Sequence, residues 1–408
     1  MRRVVVTGLG IISPIGNDVQ TFWENLSNGV CGIDYITRFN TEDYKVKIAA
    51  EVKNFNPEDF MERSEVRRTD RYTQFAIAAA KQAVDSSGIE GTIDPERLGV
   101  YVGSGIGGME TLTNEHSKLF SGGPKRVSPY FVPMIISNIA AGTIAIRYNA
   151  QGPCLPVVTA CATSSNAIGE AFRAIKHGYV DAIIAGGAEA AINPISVAGF
   201  TNIMALSTKN DPNDTSIPFD KRRDGFVIGE GAAILILEEY EHAKNRNATI
   251  YGEITGYGHT CDAHHITAPN QEGTSVANAI KTALNESNAT GDEKIYINAH
   301  GTSTPLNDKT ETTAIKKALG ENAQKALVSS TKSMTGHMLG AAGATEAIAS
   351  ILAIKNGVIP PTIGYKEPDP ECDLNIVANH SVKEDVDFAI STSLGFGGHN
   401  ACLVFKKI

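Results

Sequence analysis

Short apolar runs alternate along the chain with longer stretches in which apolar positions recur every three or four residues. LGVYVGSG (98–105), DAIIAGG (181–187) and KIYINAHGT (294–302) have the length and composition of buried strands. TQFAIAAAKQA (73–83) reads as a helix, and Ala167, Ile168, Ala171, Phe172 and Ile175 fall on one face of a second, with Gly178 as its stop. Strands alternating with helices predict an α/β fold whose parallel strands are covered by helices. The opening MRRVVVTGLGIISPIG reads as a first buried strand rather than a signal peptide, because Gly8, Gly10 and Pro14 interrupt the apolar run. VVTAC (157–161) reads as a further strand, stopping at Cys161 where small and hydroxylated residues begin a helix.

A charged stretch, LEEYEHAKNRNA (237–248), separates the first half from YGEITGYG (251–258). It predicts a boundary between residues 1–248 and 249–408. Each half holds strands that run into small-residue loops: VYVGSGIGG and VVTACATSS in the first, YINAHGTST, LVSSTKSMTG and AISTSLGFGG in the second. Open α/β sheets bind ligands beyond the carboxyl ends of their strands, so chemistry is expected on these loops.

Composition narrows the picture. The chain has 408 residues, 42% of them hydrophobic, enough for one large core or two tightly fused domains. Its 39 glycines predict many tight turns, and a single tryptophan argues against a broad aromatic binding face. A net charge of -9 argues against nucleic acid as the main partner, although a local basic patch is compatible with it. No apolar run has the length of a membrane span, and the six cysteines form no CxxC pair, so a reducing, cytoplasmic setting without disulfides is expected.

Two motifs are discounted. GSGIGG (103–108) matches the dinucleotide pattern GxGxxG, but METLTNEHSKLF after it does not read as a compact helix leading into a second strand, so a tight turn is expected. HTCDAHH (259–265) has metal-ligand residue types without a metal-site spacing, and no metal is expected.

Cys161 stands out. At a strand-to-helix junction its sulfur would lie near unpaired backbone N–H groups and the positive end of a helix dipole, which favours the thiolate. The small residues after it leave room for a substrate. Cys31, Cys154, Cys372 and Cys402 are expected to be small buried hydrophobes. Two histidines on strand-end loops, His300 in NAHGTST and His337 in TKSMTGHMLGAAG, are candidate partners, with Lys332 upstream of the second.

VVTACATSS, NAHGTST, TKSMTGHMLGAAGATEA and SLGFGGHNA, in this order and spacing, resemble the β-ketoacyl-acyl carrier protein synthases, most closely their type II class. The likeness runs from VVVTGLGIISPIG to GGHNACLVFKK. It implies a thiolase-like fold, two similar halves in a five-layer αβαβα arrangement, usually a homodimer. It implies decarboxylative Claisen condensation of malonyl-acyl carrier protein with a Cys161-bound acyl chain in fatty acid elongation. His300 and His337 would be the catalytic histidines, Lys332 a supporting cation, and the N–H groups of Cys161 and Phe396 the oxyanion donors. No cofactor is implied, since phosphopantetheine arrives on the carrier. Histidine rather than asparagine at 337 argues against the chain-initiating class.

The resemblance further implies that Ile106 lines the acyl pocket, that Phe200 and Phe396 gate it, that Thr302 and Thr304 bind the pantetheine arm, and that Phe131 reaches the pocket of a second subunit. Arg67 and Arg68 match part of the patch that meets the acidic carrier; a solvated helix face is the alternative reading. Met204 and Ser64 stand where relatives have basic residues, and Cys154 and Pro156 also depart from the family pattern. These departures leave a specialised ketosynthase of a secondary lipid or polyketide pathway as an alternative; a noncatalytic carrier-binding partner is a further one, against which Cys161, His300, His337 and Lys332 argue.

Overall fold

A computed structural model describes residues 1–290 and 293–408. Its frame is one folded sheet of nine strands. In chain order these are β1 (Val4–Ile12), β2 (Leu98–Gly103), β3 (Ala182–Glu189), β4 (Gly231–Glu239), β5 (Gly252–Cys261), β6 (Ile295–Asn298), β7 (Leu327–Ser329), β8 (Phe388–Gly395) and β9 (His399–Lys406). Their spatial order is β2-β3-β4-β1-β5-β9-β8-β6-β7. The β1–β5 seam joins only Val4–Val6 to Gly252–Ile254.

On either side of that seam the same pattern repeats. β2 is parallel to β3, which is antiparallel to β4, which is antiparallel to β1. Likewise β6 is parallel to β8, which is antiparallel to β9, which is antiparallel to β5. Five helices complete the frame: α1 (Arg71–Ser87), α2 (Thr163–Lys176), α3 (Thr274–Glu286), α4 (Pro305–Leu319) and α5 (Ala342–Asn356). α1 covers the outer face of the first set of strands; α3 covers that of the second, and α4 packs against α3 in the same apolar cluster. α2 and α5 touch strands of both sets and form the shared middle layer. This is the thiolase-like five-layer fold.

The packing shows why the halves resemble each other. A Cβ on Gly8 or Gly10 of β1 would lie 2.2 and 1.9 Å from the carbonyl oxygens of Ala83 and Ala79 on α1. On Gly256 or Gly258 of β5 it would lie 2.0 and 1.9 Å from those of Ala283 and Ala279 on α3. Each half thus begins with a Gly-x-Gly strand pressed onto an alanine-faced helix, an approach that only glycine permits. β1 alternates between two cores: Val4, Val6, Leu9 and Ile11 face the middle layer, while Ile12 packs with α1. Among the described residues no helix is long and apolar enough to cross a membrane.

Several expectations need correction. Val157–Thr159 is not a strand; a lone bridge between Cys154 and Val100 is all the pairing near it, and Leu155 and Val158 are exposed. Pro153 and Pro156 lack the N–H groups that a ladder requires. Cys154 is exposed and Cys31 only half-buried, so neither is a core residue; Cys372 and Cys402 are buried as expected. METLTNEHSKLF does form a helix, Met109–Gly122, but the next strand is β3, far along the chain.

The charged stretch at 237–248, where the sequence places a boundary, is tied to the sheet. It starts inside β4, and its charges close on the fully buried Glu238, which accepts from Arg246 Nε and Nη2 (both 2.7 Å), Thr7 Oγ1 (2.7 Å) and His242 Nδ1 (2.6 Å). Burial pushes the Glu238 carboxyl up, but these bonds outweigh it and hold the group below the usual carboxylate range. Its stabilisation is therefore present above the unfolded-state value and lost as pH falls through the folded one. Arg246→Ala should cost about 3–5 kcal/mol by leaving a buried charge underpaired, and should move acid unfolding to higher pH. Urea unfolding at pH 7 and an acid titration followed by circular dichroism check both.

Candidate active site

Cys161 sits in a single turn of 3₁₀ helix, Ala160–Ala162, directly before α2. Ala160 takes the left-handed conformation, φ 50°, which strains an alanine and aims the next side chain out of the turn. The turn is held by hydrogen bonds: Thr159 N donates to Thr163 Oγ1 (2.9 Å), Asn166 Nδ2 to Thr159 Oγ1 (2.7 Å), and Tyr257 Oη to Asn166 Oδ1 (2.7 Å). Gly395 at the end of β8 passes so close that a Cβ there would lie 3.2 Å from Cys161 N and 2.7 Å from Thr159 O. The close pass brings the Phe396 N–H near enough to the sulfur to favour its thiolate.

His300 follows β6, and His337 follows a short helix that starts at Lys332. Both rings are buried, with centroids 5.2 Å apart and planes at 87°. Glu311 on α4 anchors the first loop, accepting from His300 N and Gly301 N (both 2.7 Å) and from Thr392 Oγ1 (2.6 Å). The second is fixed by its backbone, His337 N to Val227 O at 2.7 Å and Gly229 N to His337 O at 2.8 Å. Lys332 Nζ reaches His300 Nδ1 at 3.4 Å and pairs with Glu346 of α5, all of it buried. An ammonium donating to Nδ1 leaves the His300 proton on Nε2.

A cavity of about 610 Å³ brings Cys161, His300, His337, Phe396, Ile106 and Phe200 together, with Thr302 and Thr304 also on its wall. The two threonine hydroxyls lie 2.9 Å apart. Phe226 was missed by the sequence reading; it stands edge-on between Phe200 and His337, at 5.6 and 5.2 Å between ring centroids. Glu189 and Leu339 also line the cavity and also went unnoticed. Lys332 lies behind the histidines rather than on the wall. Phe131, half-buried, is away from this chain's own cavity, and Arg67 and Arg68 are exposed beyond it, the latter 5.0 Å from the Tyr130 ring centroid.

The electrostatics overturn one expectation. Burial pushes the Cys161 thiol up to about 12. Lys332 and the Phe396 N–H pull the other way, and Glu189 and Glu346 add to the rise. Desolvation is the largest of these effects and works against the thiolate expected at a helix N-terminus, leaving Cys161 a thiol at rest. Both imidazoles lie well below the ordinary histidine range, through burial first and then the nearby ammonium, and are neutral at pH 7. Burial also raises Glu346, to about 7, against the pull of Lys332.

The beta-ketoacyl synthase N-terminal domain matches residues 1–243, and the beta-ketoacyl synthase C-terminal domain matches residues 251–366. A 3-oxoacyl-[acyl-carrier-protein] synthase 2 of Staphylococcus aureus (strain COL) is 53% identical over 409 residues, covering 100% of this chain and 98% of that protein. A beta-ketoacyl synthase from Burkholderia phymatum STM815 superposes with a TM-score of 0.93 at 34% identity, covering 100% of both chains. A type II polyketide ketosynthase solved with its acyl-carrier protein gives the same TM-score at 35% identity, covering 100% of this chain and 99% of that one.

Because the thiol is protonated at rest, alkylation of Cys161 by iodoacetamide should be slow at neutral pH and still climbing at pH 9. Peptide mass spectrometry over a pH series checks this; a rate that levels off near pH 7 would mean that the helix end dominates after all.

Proposed function

We propose that this chain, which belongs to the beta-ketoacyl synthase family, lengthens acyl chains by two carbons in fatty acid elongation, with Cys161 as the acyl-accepting nucleophile. The observation that carries the reading is one apolar cavity joining a thiol, the Phe396 N–H at its sulfur, and two neutral imidazoles. The family and the synthase 2 likeness over the full length favour elongation, and the complete set of Cys161, His300, His337 and Lys332 argues against a noncatalytic partner.

In the first half-reaction the Cys161 proton passes to an imidazole as sulfur attacks the carrier thioester. The N–H groups of Cys161 and Phe396 receive the oxyanion, the carbon–sulfur bond to the carrier breaks, and the departing thiolate takes the proton. In the second, malonyl-carrier loses CO₂ and its electron pair becomes an enolate, whose oxygen receives hydrogen bonds from His300 and His337. A lysine-fixed His300 tautomer with its proton on Nε2 suits that task. The enolate carbon attacks the acyl-Cys161 carbonyl and the carbon–sulfur bond breaks. 3-Oxoacyl-carrier leaves, and Cys161 regains a proton from water. Neutral donors with lowered basicity fit this step, because a full proton transfer to the enolate carbon would end the reaction at acetyl-carrier.

Around this chemistry, Ile106 is assigned to the acyl pocket wall, Phe200 and Phe396 to its gate, and Thr302 and Thr304 to the pantetheine arm. Arg67 and Arg68 are assigned to the carrier interface, and Phe131 to the pocket of a second copy in a homodimer. The parts divide at 248/249, the nucleophile before and the histidines after. The enzyme acts in the cytoplasm and needs no cofactor of its own, the phosphopantetheine belonging to the carrier.

Acyl-carrier alone should add one acyl mass to Cys161, and Cys161→Ala should abolish both that adduct and condensation while keeping its melting temperature. An unmodified wild-type Cys161 would refute the reading. His300→Ala and His337→Ala should each lose about 10²–10³ in malonyl decarboxylation and less in acylation of Cys161. Ile106→Phe should slow acylation by long chains more than by short ones through overpacking of about 1–3 kcal/mol, read as kcat/KM across acyl-carriers of graded length.

A further inference from the structure

Glu189, the last residue of β3, is fully buried, and the mechanism above makes no use of it. Four donors converge on its carboxylate. Oε1 accepts from Ser104 Oγ at 2.8 Å and Ile106 N at 3.2 Å; Oε2 accepts from Gly105 N at 2.8 Å and Gly340 N at 3.0 Å. Among the described residues no arginine or lysine pairs with it. Two loops from opposite halves therefore meet on one side chain: the loop after β2 carrying Ile106, and the Leu339–Ala341 turn between His337 and α5.

The geometry is built for close approach. A Cβ on Gly105 would lie 2.7 Å from Glu189 Oε2, and one on Gly340 2.8 Å from the same atom. Leu339, next to Gly340, is held at φ 47°, a strained conformation for a leucine. Ser104 Oγ also accepts from Gly107 N at 2.9 Å, extending the clamp along the glycine-rich loop. Three of the four donors are fixed backbone N–H groups, which offer no acceptor to an acidic proton, so the carboxylate is held as the anion. The glycine-rich loop does cradle an anion, and the anion belongs to the protein.

Ile106 and Leu339 both line the cavity beside Cys161. We propose that Glu189 is the positioning residue of the acyl pocket, clamping the Ile106 wall and the Leu339 wall across the two halves and so setting which chain lengths load onto Cys161. The proposal rests on reading Cys161 as the acylated nucleophile. Burial raises the Glu189 carboxyl from its ordinary value, with the four bonds opposing, and its charge is one of the groups that raise the Cys161 thiol.

Glu189→Gln is the sharp test. If the amide nitrogen takes the Oε1 place, the Ser104 hydroxyl rotates to accept from it, while the Ile106 N–H, already the longest contact, loses its partner. The wall is released and the charge is gone. Expected in a folded variant are a long-to-short chain ratio of kcat/KM for Cys161 acylation raised by about two- to tenfold, the worth of one hydrogen bond, and an iodoacetamide alkylation profile displaced to lower pH. A purely structural residue would move neither. Ser104→Ala, which removes one of the two donors on Glu189 Oε1 and the acceptor of the Gly107 N–H but keeps the charge, should loosen the same loop and shift the length ratio in the same direction without moving the alkylation profile. It decides the matter if Glu189→Gln does not fold. Wild-type length ratios in either folded variant overturn the proposal. Wild-type protein that takes up no acyl group on Cys161 would instead overturn the functional reading on which it stands.

Discussion

The contact between α2 and α5 in the middle layer is the constraint on which the site depends. A Cβ on Gly343 would lie 2.0 Å from Ser165 Oγ, and Ala344 N donates to Ser164 Oγ at 2.9 Å, so the two helices meet almost backbone to backbone. The Cys161 turn leads directly into α2, and the His337 loop leads into α5 through the Leu339–Ala341 turn. Bringing those two helix starts together brings thiol and imidazole together. Neither half can form the site without the other, and the seam between β1 and β5 is too short to align them alone.

Given that contact, desolvation governs the chemistry. Burial keeps Cys161 protonated and both histidines neutral, where exposed groups would sit nearer their ordinary values. The buried cation of the site, Lys332, is paired with Glu346 and directed at His300 Nδ1, so its charge selects a tautomer instead of protonating a ring. Buried carboxylates at Glu189 and Glu311 fasten loops rather than exchange protons, because their partners are donors.

Much of this was legible in the sequence, for identifiable reasons. β1, β2, β3 and α2 carry strong periodic signals that burial enforces, and the motifs around Cys161, His300 and His337 are specific in combination. VVTAC misled because β-branched residues have strand propensity whether or not a ladder is available, and the nearby prolines deny one. The thiol's protonation was misjudged because a helix end is visible in sequence and the depth of burial above it is not. Glu189 ends an ordinary-looking apolar strand, and only the folded loops reveal its partners. One signal was available and unused: TGLG in β1 and TGYG in β5 are the same strand–helix contact written twice.

That duplication extends to the loops after β2 and β6. Each is tied at its backbone to a buried glutamate, Glu189 for the loop bearing Ile106 and Glu311 for the loop bearing His300. The two copies of one device hold different parts of the same cavity, the first the wall at Ile106 and the second the buried ring of His300. The two glutamates sit on different elements and share no donor, so a change at one leaves the bonds of the other in place, and the two loops can be altered one at a time.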